Sequence, residues 1–512
     1  VHELGLYTPY IHRNCACNES VALHNRVLSP TVEPEEDFVR QLKVLAKRLG
    51  SAAVGHTKRL SWASFVAGYK GPKLRRYTKA LEKLTKTGMV DRYCQTEMFV
   101  KPDNADPIVK GSYDPRAIQG RHPAYNIALG AFLKPFEEWF LEIDDWGEIL
   151  GPPPGGYWNW IMPVGRLVAK GLSMPERGKL IHEKWTRLEN PIAFDCDASR
   201  FDMHVSLVML MMEHLVYNTA YGFNEELRAL LKKQLHNHGR TFGGLKYRTN
   251  GKRMSGDINT GLGNTIIMLF IFIFFTSYLN SLYLSDGGKY VDGSWCQWNG
   301  KWDFICDGDD SVFFTERCNQ EIFIAEFPSF SKRLGFKMTV GNPVDELEHV
   351  NFCQSNPVYV DGQYTLVRNP RKALSGALCS KRPLRNAKEV SNHCWAVGKC
   401  ELSLGQGIPV MQEFARACIR SGTPTRSFDS VRYELSYRYW HLNHDVKPKS
   451  VSAATRVSYE RAFGVTVAQQ LYLELVLSRW RIECARSERM HEPIDAGSGA
   501  ILMDEREEAY WF

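Results

Sequence analysis

Three stretches decide how this chain is read: DCDASRFD (Asp195–Asp202), MSGDINTGLGNT (Met254–Thr265) and CDGDDSV (Cys306–Val312). In the first, the apolar run from Pro191 reads as a buried strand that ends in acids, and Asp197 and Asp202 lie five apart across a strand-to-helix junction. In the second, glycines 256, 261 and 263 surround Ser255, Thr260 and Asn264, and a long apolar helix follows. The third puts Asp309 and Asp310 in a tight turn between two apolar strands, with Gly308 free to adopt a positive φ. Strand, helix, helix, hairpin, helix and strand in that order predict an α+β fold around a small antiparallel sheet.

An acid at the end of one strand, beside two acids in the turn of a neighbouring hairpin, is an oxygen cage for hard cations. Phosphoryl transfer at neutral pH uses two such ions, one activating a hydroxyl and one steadying a triphosphate and its leaving group. Asp197, Asp309 and Asp310 are therefore the expected metal ligands, and Mg2+ (or Mn2+), two ions per site, the expected cofactor. Adjacent buried carboxylates repel strongly unless a cation neutralises them. An Asp-Asp pair alone means little, because acids favour turns for their own reasons. The ordered trio of motifs is far more specific. Asp195 precedes Asp197 by two and shares its strand face, so only the spacing to Asp202 selects Asp197.

Outward from these motifs the chain is that of an ordinary globular protein: 512 residues, 44% hydrophobic and 24% charged, with 64 Lys+Arg against 57 Asp+Glu. The net charge of +7 is mild, but its distribution is not even. Eight Lys/Arg fall between Lys70 and Arg92, and seven, with no acid, between Arg368 and Lys388. Two basic stretches around a neutral middle suit a polyanion in a channel, although either run alone reads more simply as a solvated face. Thirteen scattered cysteines without zinc-type spacing predict reduced thiols in a cytosolic compartment. The ten apolar residues Ile266–Phe275 are short of the ~20 that span a bilayer, so a buried core helix, and no membrane span, is expected. Residues 35–90 read as helical, EHVNFCQSNPVYV as a hairpin, and the region after Arg371 as mainly helical. Leu473, Leu477 and Trp480 fall on one packing stripe.

The three motifs resemble motifs A, B and C of the RNA-dependent RNA polymerases of positive-strand RNA viruses. DASRFD followed by His204 and Val205, SGDINTGLGNT and GDD are most similar to the tombusvirus-like replicases of the flavivirus-like supergroup. The likeness extends to FVKPDNADPIVKGSYDPRAIQGRHPAYN (motif F, from Phe99), SKRLGFKM (motif D, from Ser331) and FCQS (motif E, from Phe352). It runs from Gly68 to Gln354 and fades beyond Arg371.

The resemblance implies a right-hand polymerase with fingers, a ferredoxin-like palm sheet and a mainly helical thumb. Its expected boundaries are fingers 1–188, palm 189–207, a fingers insertion 208–254, palm 255–370, and thumb with C-terminal tail 371–512. It implies Asp197 and Asp309 as principal metal ligands and Asp310 as an auxiliary one. Asp202, Asn264, Ser255 and Thr260 would read the ribose 2′ hydroxyl, and Lys101, Lys110 and Arg116 would hold the incoming triphosphate. Lys337, rather than Lys332, would protonate the departing pyrophosphate. Lys70, Lys73, Arg75, Arg76 and Gly256 would contact RNA, and the Phe352-Cys353 turn would pack against the nascent strand. Asp307 stands where the family more often has an uncharged residue and is expected to face water.

Implied partners are template and nascent RNA, NTPs, and an upstream replicase segment or auxiliary viral protein with host factors. The implied location is the host cytoplasm, at membrane-associated complexes. Initiation without a primer is expected, with Tyr510-Trp511-Phe512 or the segment near Trp480 supporting the first nucleotide. Two rivals remain open at this stage. A reverse transcriptase usually carries a bulky aromatic where Asp202 stands, which argues against it; a noncatalytic RNA-binding subunit predicts that Asp309 is dispensable.

Overall fold

The structure is a computed structural model and describes residues 4–106, 114–151, 163–284, 289–291, 294–380, 384–426, 428 and 442–482. Among the described residues, twelve strands are numbered in chain order: β1 Thr96–Val100, β2 Ala117–Arg121, β3 Pro191–Ala198, β4 His236–Thr241, β5 Lys246–Asn250, β6 Lys289–Val291, β7 Ser294–Cys296, β8 Trp302–Asp307, β9 Asp310–Glu316, β10 Met338–Val340, β11 Ser355–Val360 and β12 Gln363–Arg368. The sheet that carries the acids has the order β10-β3-β9-β8, with every pairing antiparallel. Helices Thr260–Leu279, between β3 and β8, and Gln320–Arg333, between β9 and β10, complete a βαββαβ succession.

Helix Thr260–Leu279 is buried around its whole circumference, as its uninterrupted apolar sequence requires. Phe272 stacks on Phe304 of β8, Phe313 of β9 and Phe327 of the second helix, with ring centroids 4.9, 5.6 and 5.3 Å apart. Burying one such side chain contributes up to about 3 kcal/mol. By length and composition alone this helix could cross a membrane, yet 94% of its apolar window is buried inside the fold.

A second sheet, β2-β1-β4-β5, joins segments far apart in sequence, because β4 runs parallel to β1. Helix Glu36–Ala52 buries Phe38, Leu42, Leu45 and Leu49 at helical spacing, in keeping with the helical reading of residues 35–90. It also crosses helix Leu207–Ala220 closely: a side chain at Gly50 would strike the Val216 carbonyl.

The C-terminal part is helical among the described residues, with helices Pro370–Ser375, Ala387–Gly405, Met411–Ser421, Ala453–Phe463 and Val467–Arg479. Val397, Cys400, Val410, Phe414, Cys418, Leu473 and Leu477 form an apolar core of its own. Trp480 departs from the expected stripe: the helix ends at Arg479, and the indole is 36% exposed. The hairpin expected over EHVNFCQSNPVYV is displaced. Its second half, β11, pairs with the downstream β12 across Asp361-Gly362, while Leu347–His349 form a short 3-10 turn. The two-residue Asp-Gly connection is the stronger hairpin signal. The twelve cysteines among the described residues are all free thiols.

Candidate active site

The β8–β9 hairpin closes on the pair Asp307 and Asp310, leaving Gly308 and Asp309 as its two-residue turn. Gly308 has φ 70°, the sign demanded at the first position of a type II′ turn, and its amide donates to Thr265 Oγ1 at 2.9 Å. Thr265 belongs to the glycine-rich motif, so one hydroxyl ties the second motif to the third. The first joins through the sheet: Cys196 faces Ser311 across β3 and β9, and Ser311 Oγ donates to the Cys196 carbonyl at 3.1 Å. Asp195 and Asp197, on the same strand face, are both exposed at this end of β3.

These acids feel one another. Burial pushes the Asp309 carboxyl up to about 7, with Asp202 and Asp310 adding repulsion and Arg116 opposing it. Asp309 is open to solvent on one side but walled by protein on the others, and it is that desolvation which acts. Asp310 is likewise raised by burial, then by Asp307 and Asp197. Asp195 is pushed up to about 6 by burial, Asp197 and Asp310. Among the described residues no three His, Cys, Asp or Glu side chains are drawn tightly enough together to hold a metal ion. Partial desolvation first, and mutual repulsion after it, raise all three carboxyls. An all-oxygen donor set with excess negative charge fits hard divalent cations such as Mg2+ or Mn2+.

Asp202 is placed differently. It sits on the short helix Phe201–His204 after β3, where Ser255 Oγ donates to its Oδ2 and Asn264 Nδ2 to its Oδ1, the latter at 2.8 Å. The expected ribose-reading group is therefore gathered for Asp202, Ser255 and Asn264. Thr260 is not part of it: its hydroxyl donates to the carbonyls of Met254 and Asp257 at 3.0 and 2.9 Å, holding the loop's own turn. Gly256 also has a structural task. It pairs in parallel with Gly120, and a side chain there would strike the Gln119 backbone, so its bareness joins the loop to β2 and is not explained by RNA.

Arg116, exposed just before β2, pairs with Asp103 at 3.3 Å, and Lys101 pairs with the same carboxylate at 3.2 Å. Arg116 is thus paired with an acid, yet its charge also reaches Asp309 and Asp310. Lys110 lies outside the described residues, as do Tyr510, Trp511 and Phe512. Lys337 is exposed directly before β10, and its carbonyl accepts from Ser199 N at 3.0 Å, which sets it beside the end of β3.

Lys70, Arg75 and the half-buried Arg76 lie at the start of helix Gly71–Thr87. Lys73, beside them, is half-buried. Its ammonium rests 4.3 Å from the Tyr69 ring centroid and 5.7 Å from that of Tyr77, and burial lowers its pKa to about 8.

Asp307 does not face water. Arg177, on helix Met174–Thr186, donates to its Oδ2 at 2.5 Å and to Cys353 Sγ at 3.6 Å, and lies over the buried Phe352 ring. One arginine thereby fastens the turn at Phe352-Cys353 to the acid hairpin.

Sequence reasoning passed over Arg177, and also over Arg253 and Glu213, a fully buried ion pair behind Asn264. A usable signal existed for Glu213. It is the lone acid in the apolar run LVMLMMEHLVY, where a charge is tolerated only with a buried partner.

The sequence pattern of the family described as "Viral RNA dependent RNA polymerase" matches residues 7–282 and 293–485. The RNA-directed RNA polymerase of Panicum mosaic virus (strain United States/Kansas 109S) is 33% identical over 500 residues, covering 92% of this chain and 46% of the relative. That of Tomato bushy stunt virus (strain Cherry) is 32% identical over 502 residues, covering 94% and 56%. That of Tobacco necrosis virus (strain A) is 31% identical over 493 residues, covering 92% and 62%. The chain thus spans about half the length of the curated relatives it matches. With this match running nearly end to end, and with the three motifs meeting at one end of a βαββαβ sheet, the chain belongs to the family of viral RNA-dependent RNA polymerases.

Proposed function

We propose that this chain is the polymerase portion of a positive-strand RNA virus replicase, copying an RNA template by nucleotidyl transfer from NTPs. The observation that carries the reading is the meeting of Asp202, held by Ser255 and Asn264, with the mutually repelling acids Asp197, Asp309 and Asp310. Asp197, Asp309 and Asp310 would hold two Mg2+ or Mn2+ ions, which when bound supply hydroxyl activation and charge neutralisation on the triphosphate.

The remaining roles belong to the chain's own side chains. Ser255 and Asn264 hold Asp202 to accept from a ribose 2′ hydroxyl, the group that separates RNA from DNA substrates. Arg116, with Lys101 beside it and Lys110 between them in sequence, bears on the triphosphate where negative charge accumulates. Lys337 is the proton donor to the leaving pyrophosphate. Lys70, Lys73, Arg75 and Arg76 contact template phosphates, with Lys73 seated on the Tyr69 and Tyr77 rings.

The sheet β10-β3-β9-β8 is the palm of a right hand, residues 1–188 and 208–254 its fingers and 371–512 its thumb. The union of β1 and β2 with β4 and β5 in one sheet supports joining those two finger segments. The protein works in the host cytoplasm on replication membranes, through an upstream segment or partner, and starts chains without a primer.

Incubation with homopolymeric RNA, complementary primer, labelled NTP and Mg2+ or Mn2+ tests the reading. Incorporation is expected from the wild type and near-complete loss from the double variant Asp309→Ala, Asp310→Ala. Equal incorporation by both would refute it.

A further inference from the structure

Behind the ribose-reading group lies a set of polar side chains that touches neither the acids nor the surface. The Arg253 and Glu213 side chains, 1% and 0% exposed, form an ion pair in the middle of apolar helices. Such a pair is a weak source of stability, since desolvation offsets most of the attraction, and apolar replacements often do as well. Its geometry points to another use. Arg253 Nε donates to Asn264 Oδ1 at 3.0 Å, and the Arg253 amide donates to the Asp202 carbonyl at 3.0 Å.

A guanidinium can only donate, so the oxygen end of the Asn264 amide must face Arg253. The amide's NH2 end is then compelled toward Asp202, whose Oδ1 it meets at 2.8 Å. Without a donor behind it, the amide would be held from the Asp202 side alone, free to tilt away from the line of that one hydrogen bond.

The guanidinium is itself fixed. Glu213 Oε1 accepts from Tyr217 Oη at 2.8 Å and from Asn259 Nδ2 at 2.7 Å, and Asn259 Oδ1 accepts from Gln234 Nε2 at 2.8 Å. Gly263 leaves the space: a side chain there would collide with both the Glu213 carboxylate and the Arg253 guanidinium. We propose that Arg253, held by Glu213, is a positioning residue for sugar selection: it locks the Asn264 amide in the one orientation that presents Asp202 to a ribose 2′ hydroxyl. The inference rests on the polymerase reading above and names two residues that act through Asn264 without touching substrate.

The test compares kcat/KM for UTP and dUTP in the wild type, in Arg253→Lys, and in the charge-balanced double variant Arg253→Met, Glu213→Gln. Lysine keeps the pair with Glu213 but has no second donor fixed in plane, so a merely structural role would be rescued by it. The expected result is a fall of about tenfold in the UTP:dUTP ratio for both variants, as befits one misaligned hydrogen bond to a charged group, with dUTP kcat/KM within about twofold. In an Asn264→Ala background the Arg253→Lys change should lower the ratio no further. An unchanged ratio, or equal losses with both nucleotides, in a wild type that does incorporate UTP overturns this inference alone. A wild type that incorporates neither, indistinguishable from Asp309→Ala, overturns the polymerase reading and this inference with it.

Discussion

Two glycines at the site are glycine for different reasons, and the difference can be measured. Gly263 lies against the buried Arg253–Glu213 pair, so Gly263→Ala inserts a methyl group where the carboxylate and guanidinium meet. Overpacking of a rigid interior costs about 1–3 kcal/mol, and parting a buried ion pair about 3–5 kcal/mol. Partial relaxation should leave a loss of about 3 kcal/mol. At Gly308 an added Cβ meets nothing within 4 Å, and only the φ of 70° opposes it. Gly308→Ala should therefore cost about 1–2 kcal/mol, the penalty of a left-handed conformation. Asparagine separates the causes further, because it tolerates positive φ but is larger than alanine. Gly308→Asn should be milder than Gly308→Ala, and Gly263→Asn worse than Gly263→Ala. Urea-unfolding midpoints of the four variants, compared at equal slope, give the ranking. A Gly263→Ala loss smaller than that of Gly308→Ala, or the opposite ranking of the asparagines, would refute the volume argument at Gly263.

Two other outcomes follow from buried polar groups. Burial, with Arg253 and Arg121 against it and Glu213 and Gln234 favouring the proton, lowers the His214 pKa from 6.5 to about 4. The folded form thus binds fewer protons than the unfolded one in this window. The contribution of neutral His214 is complete above about pH 6.5 and is lost as pH falls toward about 4, by up to about 3 kcal/mol. Chemical denaturation at pH 7, 6 and 5 should show a shallower decline in His214→Gln than in the wild type; parallel curves would count against it. Arg177→Met should destabilise by about 2–3 kcal/mol by stranding Asp307, and adding Asp307→Asn should restore much of that loss, a coupling read from a double-mutant cycle.

Local signals made much of this molecule readable. The acid-ended strand, the all-apolar helix and the Gly-Asp turn each follow from side-chain period or turn chemistry over fewer than twenty residues, and each stands in the structure where the sequence places it. Misreadings occurred where a residue's partner is remote. Asp307 looks solvent-facing in its own hairpin, because Arg177, 130 positions away, is invisible locally. Thr260 and Gly256 sit in a motif that invites a ligand role. Their hydrogen bond and backbone approach depend on how the loop folds back and on β2. Lys73 reads as one more exposed cation, whereas its ammonium lies over the Tyr69 and Tyr77 rings. The β11–β12 pairing has a local signal of its own, the Asp-Gly dipeptide at 361–362, just beyond the segment that reads as a hairpin.

The carboxylates of the site divide into two electrostatic kinds, and the division follows from which elements carry them. Asp202 stands one helical turn beyond the sheet, within reach of the glycine-rich loop, and receives two donors whose positions are set from behind by a charge-neutral ion pair. Asp195 and Asp310 project from strands and Asp309 from the turn between β8 and β9, and each is raised by burial and by neighbouring carboxylates. Such a group is stabilised only by cations brought to it, from Arg116 or from solution. A polymerase needs both kinds. A sugar-selecting contact discriminates only if it does not relax toward the wrong sugar, whereas acids that must exchange ions with every nucleotide added work best when the protein leaves their charge unmet. In the proposed polymerase, Arg253 and Glu213 would serve the first requirement, and the bare Gly308-Asp309 turn would serve the second.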